Sequence, residues 1–283
     1  MIALQPKTII TTVVTLLVVA AGFLFVQTRS RSILEARHPL GLDAVHAATT
    51  PEAIAEGQHL VQVTGCSLCH GSRLAGKMLA AAGSPLAAPN LTRVTPKRTD
   101  AQLDRAIRGG LRADGTSEFG MPSHVYARFT DAETADILGY LRSLKPVGLP
   151  TPRQPLGVME RVDLAVGFMH PEPDRIAGAA APIDLGPQLQ AGRHLAAVAC
   201  GQCHGSDLSS GHGAPGPDLM VRGGYSRQQF TVLMRTGDTP SGHDLQLMSD
   251  TARSNFSHFT DAEINELYDY LDARDVRLDA RPK

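Results

Sequence analysis

Two pentapeptides, Cys66-Ser67-Leu68-Cys69-His70 and Cys200-Gly201-Gln202-Cys203-His204, contain all four cysteines of the chain. Two thiols separated by two residues and followed at once by an imidazole form the attachment pattern of a c-type haem. The thiols add to the two vinyl groups, and the histidine binds iron on the proximal side. The spacing serves the chemistry, because it places the sulfurs about one helical turn apart while the next side chain turns toward the metal. Two copies predict two covalent haem c groups, attached through Cys66 and Cys69 and through Cys200 and Cys203, with His70 and His204 as iron ligands. The competing readings are four thiolates on a structural zinc or two thiol-disulfide redox pairs. A zinc ribbon needs no histidine after each pair and sets its pairs about 15 to 20 residues apart. These motifs begin at 66 and 200.

The group opposite the histidine decides what the iron does. Methionine raises the potential and leaves no open position for substrate, as electron transfer requires. Met121 stands in Phe119-Gly120-Met121-Pro122-Ser123, on a loop able to fold over the haem and stiffened by Pro122. Its competitors are Met78 and His124. In the second half the candidate is Met248, in Leu247-Met248-Ser249, with no proline after it. Met234, on an expected helix over 226–235, and Met220, after Pro217-Asp218-Leu219, read as packing residues. His243 and His258 offer a bis-histidine alternative. His38, His46, His59, His170, His194 and His212 read as surface or structural residues.

The elements that carry these residues occur twice. A helix over 51–63, capped by Thr50 with Pro51 at its first position, leads to Cys66, and a second over 186–199 leads to Cys200. Gly57-x-His59-Leu60 returns as Gly192-x-His194-Leu195, and Phe129-Thr130-Asp131-Ala132-Glu133 as Phe259-Thr260-Asp261-Ala262-Glu263. Each copy ends in a helix opened by a capping box, Thr130 with Glu133 and Thr260 with Glu263. Gly57 and Gly192 would let the rings of Tyr140 and Tyr270 approach the backbone of the preceding helix. Pro146 stops the first terminal helix. Residues 146–184 are rich in proline and poor in periodic apolar residues, and read as an irregular surface linker.

Ile9 to Val26 is an uncharged run of eighteen residues, which as a helix just crosses a hydrocarbon layer of about 30 Å. It exceeds the 7 to 15 apolar residues of a signal peptide, and the best small-x-small site is distant, at Val45 to Ala47. The reading is an uncleaved anchor over 1–30, with domains at 50–145 and 185–275. Arg29, Arg31 and Arg37 favour a cytoplasmic C-terminal side. Haem attachment outside the bacterial cytoplasm outweighs them and places the haem domains in the periplasm, on the inner membrane. Lys+Arg at 27 against Asp+Glu at 28 leaves no basic footprint for nucleic acid. Tryptophan is absent and aromatic residues make up 5%, which is thin for two cores unless haem supplies apolar bulk.

Both halves resemble class I cytochrome c domains. The first, with Pro89-Asn90-Leu91-Thr92, Ala106-Ile107-Arg108-Gly109-Gly110, Met121-Pro122-Ser123 and Asp136-Ile137-Leu138-Gly139-Tyr140-Leu141-Arg142, is similar to domains of the cytochrome c subunits of membrane-bound alcohol and sugar dehydrogenases. The resemblance covers 51–145 and, more loosely, 186–274. It implies an all-α fold of two tandem class I cytochrome c domains, with the carbonyl of Pro89 or Pro217 accepting from the proximal imidazole. The expected function is electron transfer between a dehydrogenase donor and an oxidase or another cytochrome, with no catalysis by the side chains. The alternative is a dihaem oxidoreductase, peroxidase-like or thiosulfate dehydrogenase-like, with an exchangeable second iron site. A third reading is a haem-bearing structural subunit held by the anchor.

Overall fold

The computed structural model describes residues 6–39, 41, 45–79, 85–210, 216–221 and 224–280. The chain is mostly helical. Helix α1 (Pro6–Glu35) carries the apolar run, with Ile9, Leu16, Val19 and Phe23 exposed. It is the one helix among the described residues long and apolar enough to cross a membrane.

The first half is built on α2 (Pro51–Val63), whose N-cap Thr50 accepts from the Ala53 amide as its sequence predicts. The helix stops at Thr64, and Gly65, at φ +81°, turns the chain into α3 (Cys66–His70). This left-handed conformation costs glycine nothing and other residues about 1–2 kcal/mol. A two-stranded antiparallel hairpin follows, β1 (Lys77–Leu79) with β2 (Leu86–Ala88), paired Lys77 to Ala88. This short hairpin is the one two-stranded sheet among the described residues of an otherwise mostly helical fold. Then come α4 (Leu91–Val94), α5 (Asp100–Ile107), α6 (Ser123–Tyr126) and α7 (Asp131–Ser143), the last with the expected capping box.

Segment 146–184 contains two short helices that its sparse periodicity did not signal, α8 (Val158–Val166) and α9 (Glu172–Gly178). Tertiary contacts hold them. α8 packs on α1, and Glu172, 1% exposed, receives the His124 amide and pairs with Arg175.

In the second half a 3-10 turn (Pro187–Leu189) leads into α10 (Gln190–Leu195), a π turn (Ala196–Cys200) and α11 (Gly201–His204). This path differs from the plain helix expected over 186–199. His59 precedes Cys66 by seven positions and His194 precedes Cys200 by six, and no glycine separates the second helix from its motif. The chain runs on helically and absorbs the changed register in the wider π turn. α12 (Arg227–Thr236), α13 (Leu247–Ser254) and α14 (Asp261–Asp279) complete the half.

Two hydrophobic cores result. One gathers Leu60, Leu103, Ile107, Phe129, Ile137 and Leu138, the other Phe230, Leu233, Phe259, Ile264, Leu267 and Tyr270. In each, the helix before the motif crosses the terminal helix at a glycine. A Cβ on Gly57 would stand 1.9 Å from the Asp136 carbonyl oxygen, and one on Gly192 the same distance from that of Glu266. The contact is therefore helix backbone on helix backbone. Beside Gly192 the Cβ of Tyr270 also lies 2.9 Å from that position.

Candidate haem-attachment sites

Each pentapeptide forms one helical turn, and each histidine points into the loop that follows. His70 Nδ1 donates to the Pro89 carbonyl at 2.9 Å and His204 Nδ1 to that of Pro217 at 2.8 Å. With Nδ1 committed, the remaining lone pair is on Nε2, which is the nitrogen available to a metal. Burial lowers the pKa of His70 despite the opposing bond to Pro89, which favours the neutral ring that binds metal.

The loops that present the two prolines are fixed differently. Asn90 donates from Nδ2 to Val147 O at 2.8 Å and to Leu149 O at 3.0 Å, so the segment after α7 straps the first loop. In the second half Arg274, 2% exposed on α14, donates to Leu208 O, Leu219 O and Asp218.

None of the four cysteines is in a disulfide. Burial pushes the Cys66 thiol up to about 11 and Cys200 to about 12, so neither is a ready thiolate. Among the described residues no three His, Cys, Asp or Glu side chains gather as a metal cluster would require. The thiols one turn apart, the adjacent imidazole held through Nδ1 and the apolar surroundings fit covalent haem in both places.

Met121 packs on the core that also meets Cys66, and Met248 on the core that contains Cys200. Met121 precedes α6 in a turn, whereas Met248 lies within the first turn of α13, two residues after Gln246 at φ +52°. Of the competing residues, Met78 is exposed on β1 and Met220 is also exposed, while Met234 is buried in the second core. His124 is taken up by Glu172 through Nδ1 and by Arg175 through Nε2. His243 lies in an exposed loop, where its carbonyl accepts from Thr239. His212 lies outside the described residues.

Two histidines read as surface or structural residues join the halves. His59 Nε2 meets Glu263 at 2.7 Å, and His194 Nε2 meets Glu133 at 2.7 Å. The repeat had supplied both partners, each glutamate already serving as a capping-box residue. What the sequence lacked was any sign that the copies face each other.

Known proteins similar to this chain include one family and several cytochrome subunits. Residues 54–145 match the protein family described as Cytochrome c. The chain is 26% identical over 255 residues to the fructose dehydrogenase cytochrome subunit of Gluconobacter japonicus, covering 77% of this chain and 52% of that protein. It is 24% identical over 270 residues to the cytochrome c subunits of the quinone alcohol dehydrogenases of Gluconacetobacter polyoxogenes and Komagataeibacter europaeus, covering 79% of this chain and 57% of each. The chain thus spans about half the length of the curated relatives it matches. Residues 54–145 are thus similar to a cytochrome c domain, and most of the chain is similar to part of these cytochrome subunits.

Proposed function

We propose that this chain is a membrane-anchored dihaem cytochrome c that carries electrons from a periplasmic dehydrogenase to a respiratory acceptor, as two tandem domains at 50–145 and 185–275. The observation that carries the reading is the recurrence of one arrangement: a Cys-x-x-Cys-His turn whose imidazole donates through Nδ1 to a proline carbonyl. When bound, haem supplies reversible one-electron chemistry at iron.

The protein's part is attachment, orientation and exclusion of water. Cys66 and Cys69, with Cys200 and Cys203, hold the two groups, and Pro89 and Pro217 orient His70 and His204. Met121 and Met248 would close the sixth positions, so that no side chain needs to move a proton. α1 would fix the chain in the inner membrane and raise its effective concentration near membrane partners. The similarity to dehydrogenase cytochrome subunits supports a dehydrogenase donor.

The test is haem quantitation on the purified chain together with the far-red absorption of the oxidised protein, in which methionine-ligated ferric haem absorbs weakly. Two haems, and a band that halves in Met121→Ala and again halves in Met248→Ala, are expected. A band unmoved by Met248→Ala, with high-spin iron that binds cyanide, would move the reading to a dihaem oxidoreductase with an exchangeable second site.

A further inference from the structure

The contacts between the halves come in matched pairs. His59 with Glu263 is answered by His194 with Glu133. Val63, from the helix before the first motif, is buried in the second core, and Val198, from the helix before the second motif, is buried in the first. Val125, just before the first terminal helix, lies 3.6 Å from where a Cβ on Gly201 would stand. Its counterpart Asn255, fully buried, donates from Nδ2 to Gln62 O at 2.7 Å and to Ser67 Oγ at 2.9 Å. Gly201 and Ser67 occupy the same place, the second residue of each pentapeptide.

Each contact is thus answered by one between the equivalent residues of the other half, the reciprocal pattern of a pseudo-twofold arrangement. The turns are near neighbours: a Cβ on Gly65 would come within 4.0 Å of Gln202 Oε1. Ordinary interdomain surfaces are polar and permit relative motion. Here valines are exchanged between cores, and a buried amide crosses the boundary.

We propose that this joint holds the two haem-attachment turns against each other, cysteine side to cysteine side, and that Asn255 is the residue of the second half that positions the first motif for direct electron exchange between the two groups. The proposal rests on the dihaem reading. The exchange is one electron: one iron is oxidised as the other is reduced, no bond forms or breaks and no proton moves. Asn255 acts through Ser67 and the end of α2, and does not touch the cofactor. Asymmetry gives it this part, because its counterpart Val125 offers only van der Waals contact where Asn255 makes two hydrogen bonds.

The experiment uses the full holo chain, with Asn255→Val, which installs the residue of the first half, and Ser67→Gly, which installs the residue of the second motif. Wild-type haem count is measured first: fewer than two haems sinks the dihaem reading itself, while amide exchange at 62–68 still reports whether the joint exists. With two haems present, each variant is expected to keep both, to lose about tenfold in protection of those amides, and to slow electron equilibration between the haems after flash reduction of one. Equilibration at the wild-type rate in both variants overturns the proposal, whether or not protection falls. Should Asn255→Val fail to fold, Ser67→Gly decides alone, since it removes the one side-chain acceptor of Asn255 in the motif, leaving the bond to Gln62 O, and leaves the second core intact.

Discussion

The two halves secure the same bond, imidazole to proline carbonyl, by opposite means. In the first, the loop that presents Pro89 is strapped from outside by residues 147–149, through Asn90 and Arg93. In the second, the loop that presents Pro217 is gripped from within by Arg274, and Asp275 accepts from the Val221 amide. This accounts for the unequal terminal helices: α14 has 19 residues and α7 has 13, and the added turns deliver Arg274 and Asp275. A repeated fold thus preserves the geometry at the site while its supports drift.

The most severe way to break this comparison is Arg274→Ala. It leaves two carbonyls and Asp218 without their donor at a buried position, and should cost about 3–5 kcal/mol. The matching change, Asn90→Ala, loses two hydrogen bonds and should cost about 1–3 kcal/mol. Denaturant unfolding of the full chain, read with the haem absorbance of each single-motif variant, separates the halves. Equal losses would remove the distinction between strap and grip.

A milder contrast lies where the chain turns into each motif. Gly65→Ala puts a side chain at φ +81° and should cost about 1–2 kcal/mol. Ala199→Gly, inside the π turn, should cost only about 0.5–1 kcal/mol through chain entropy. Thermal unfolding of the two variants compares them directly. A larger loss for Ala199→Gly would contradict the contrast between a glycine turn before Cys66 and a continuous helical path before Cys200.

The smallest effect concerns pH. The hydrogen bond that His59 donates to Glu263 raises the His59 pKa above 6.5 against the opposing effect of burial, so its contribution is complete below about that pH and fades as pH rises through the raised value. Burial pushes Glu133 and Glu263 up, but bonds from His194 and His59, and from the Thr130 and Thr260 amides, outweigh it and leave both below 4.5. Their contribution is present above about 4.5 and is lost as pH falls through the lowered values. The joint should be tightest between the two limits. Raising pH from about 6 to about 8.5 should remove about 0.2–1 kcal/mol, and His59→Gln should flatten that dependence in denaturant titrations.

Much of this is legible in the sequence alone. The pentapeptides, the Thr50 cap and both capping boxes are local signals, complete within four or five residues, and the repeat ties them into two copies. The rest depends on distant partners. α8 and α9 have weak intrinsic patterns and exist because α1 and the pair His124 and Glu172 hold them. The grip of Arg274 on Asp218 joins residues 56 positions apart, and no periodicity announces it. A repeat says that two copies share a fold and is silent on how they meet, so His59 and His194 could be read only as surface or structural residues, without their partners.

Helix α1 does not end where its apolar run ends. It continues from Val26 to Glu35, about 13 Å at 1.5 Å per residue, with Ser30 buried. His38 then donates from its amide to Gly115 O at 2.9 Å, tying the chain to the first half within three residues of the helix end. Such a connection works as a strut of set length. On the proposed membrane placement, the attachment sites would ride at one stand-off from the bilayer and swing little, so a redox partner would be selected by the height of its own centre as much as by the shape of its surface.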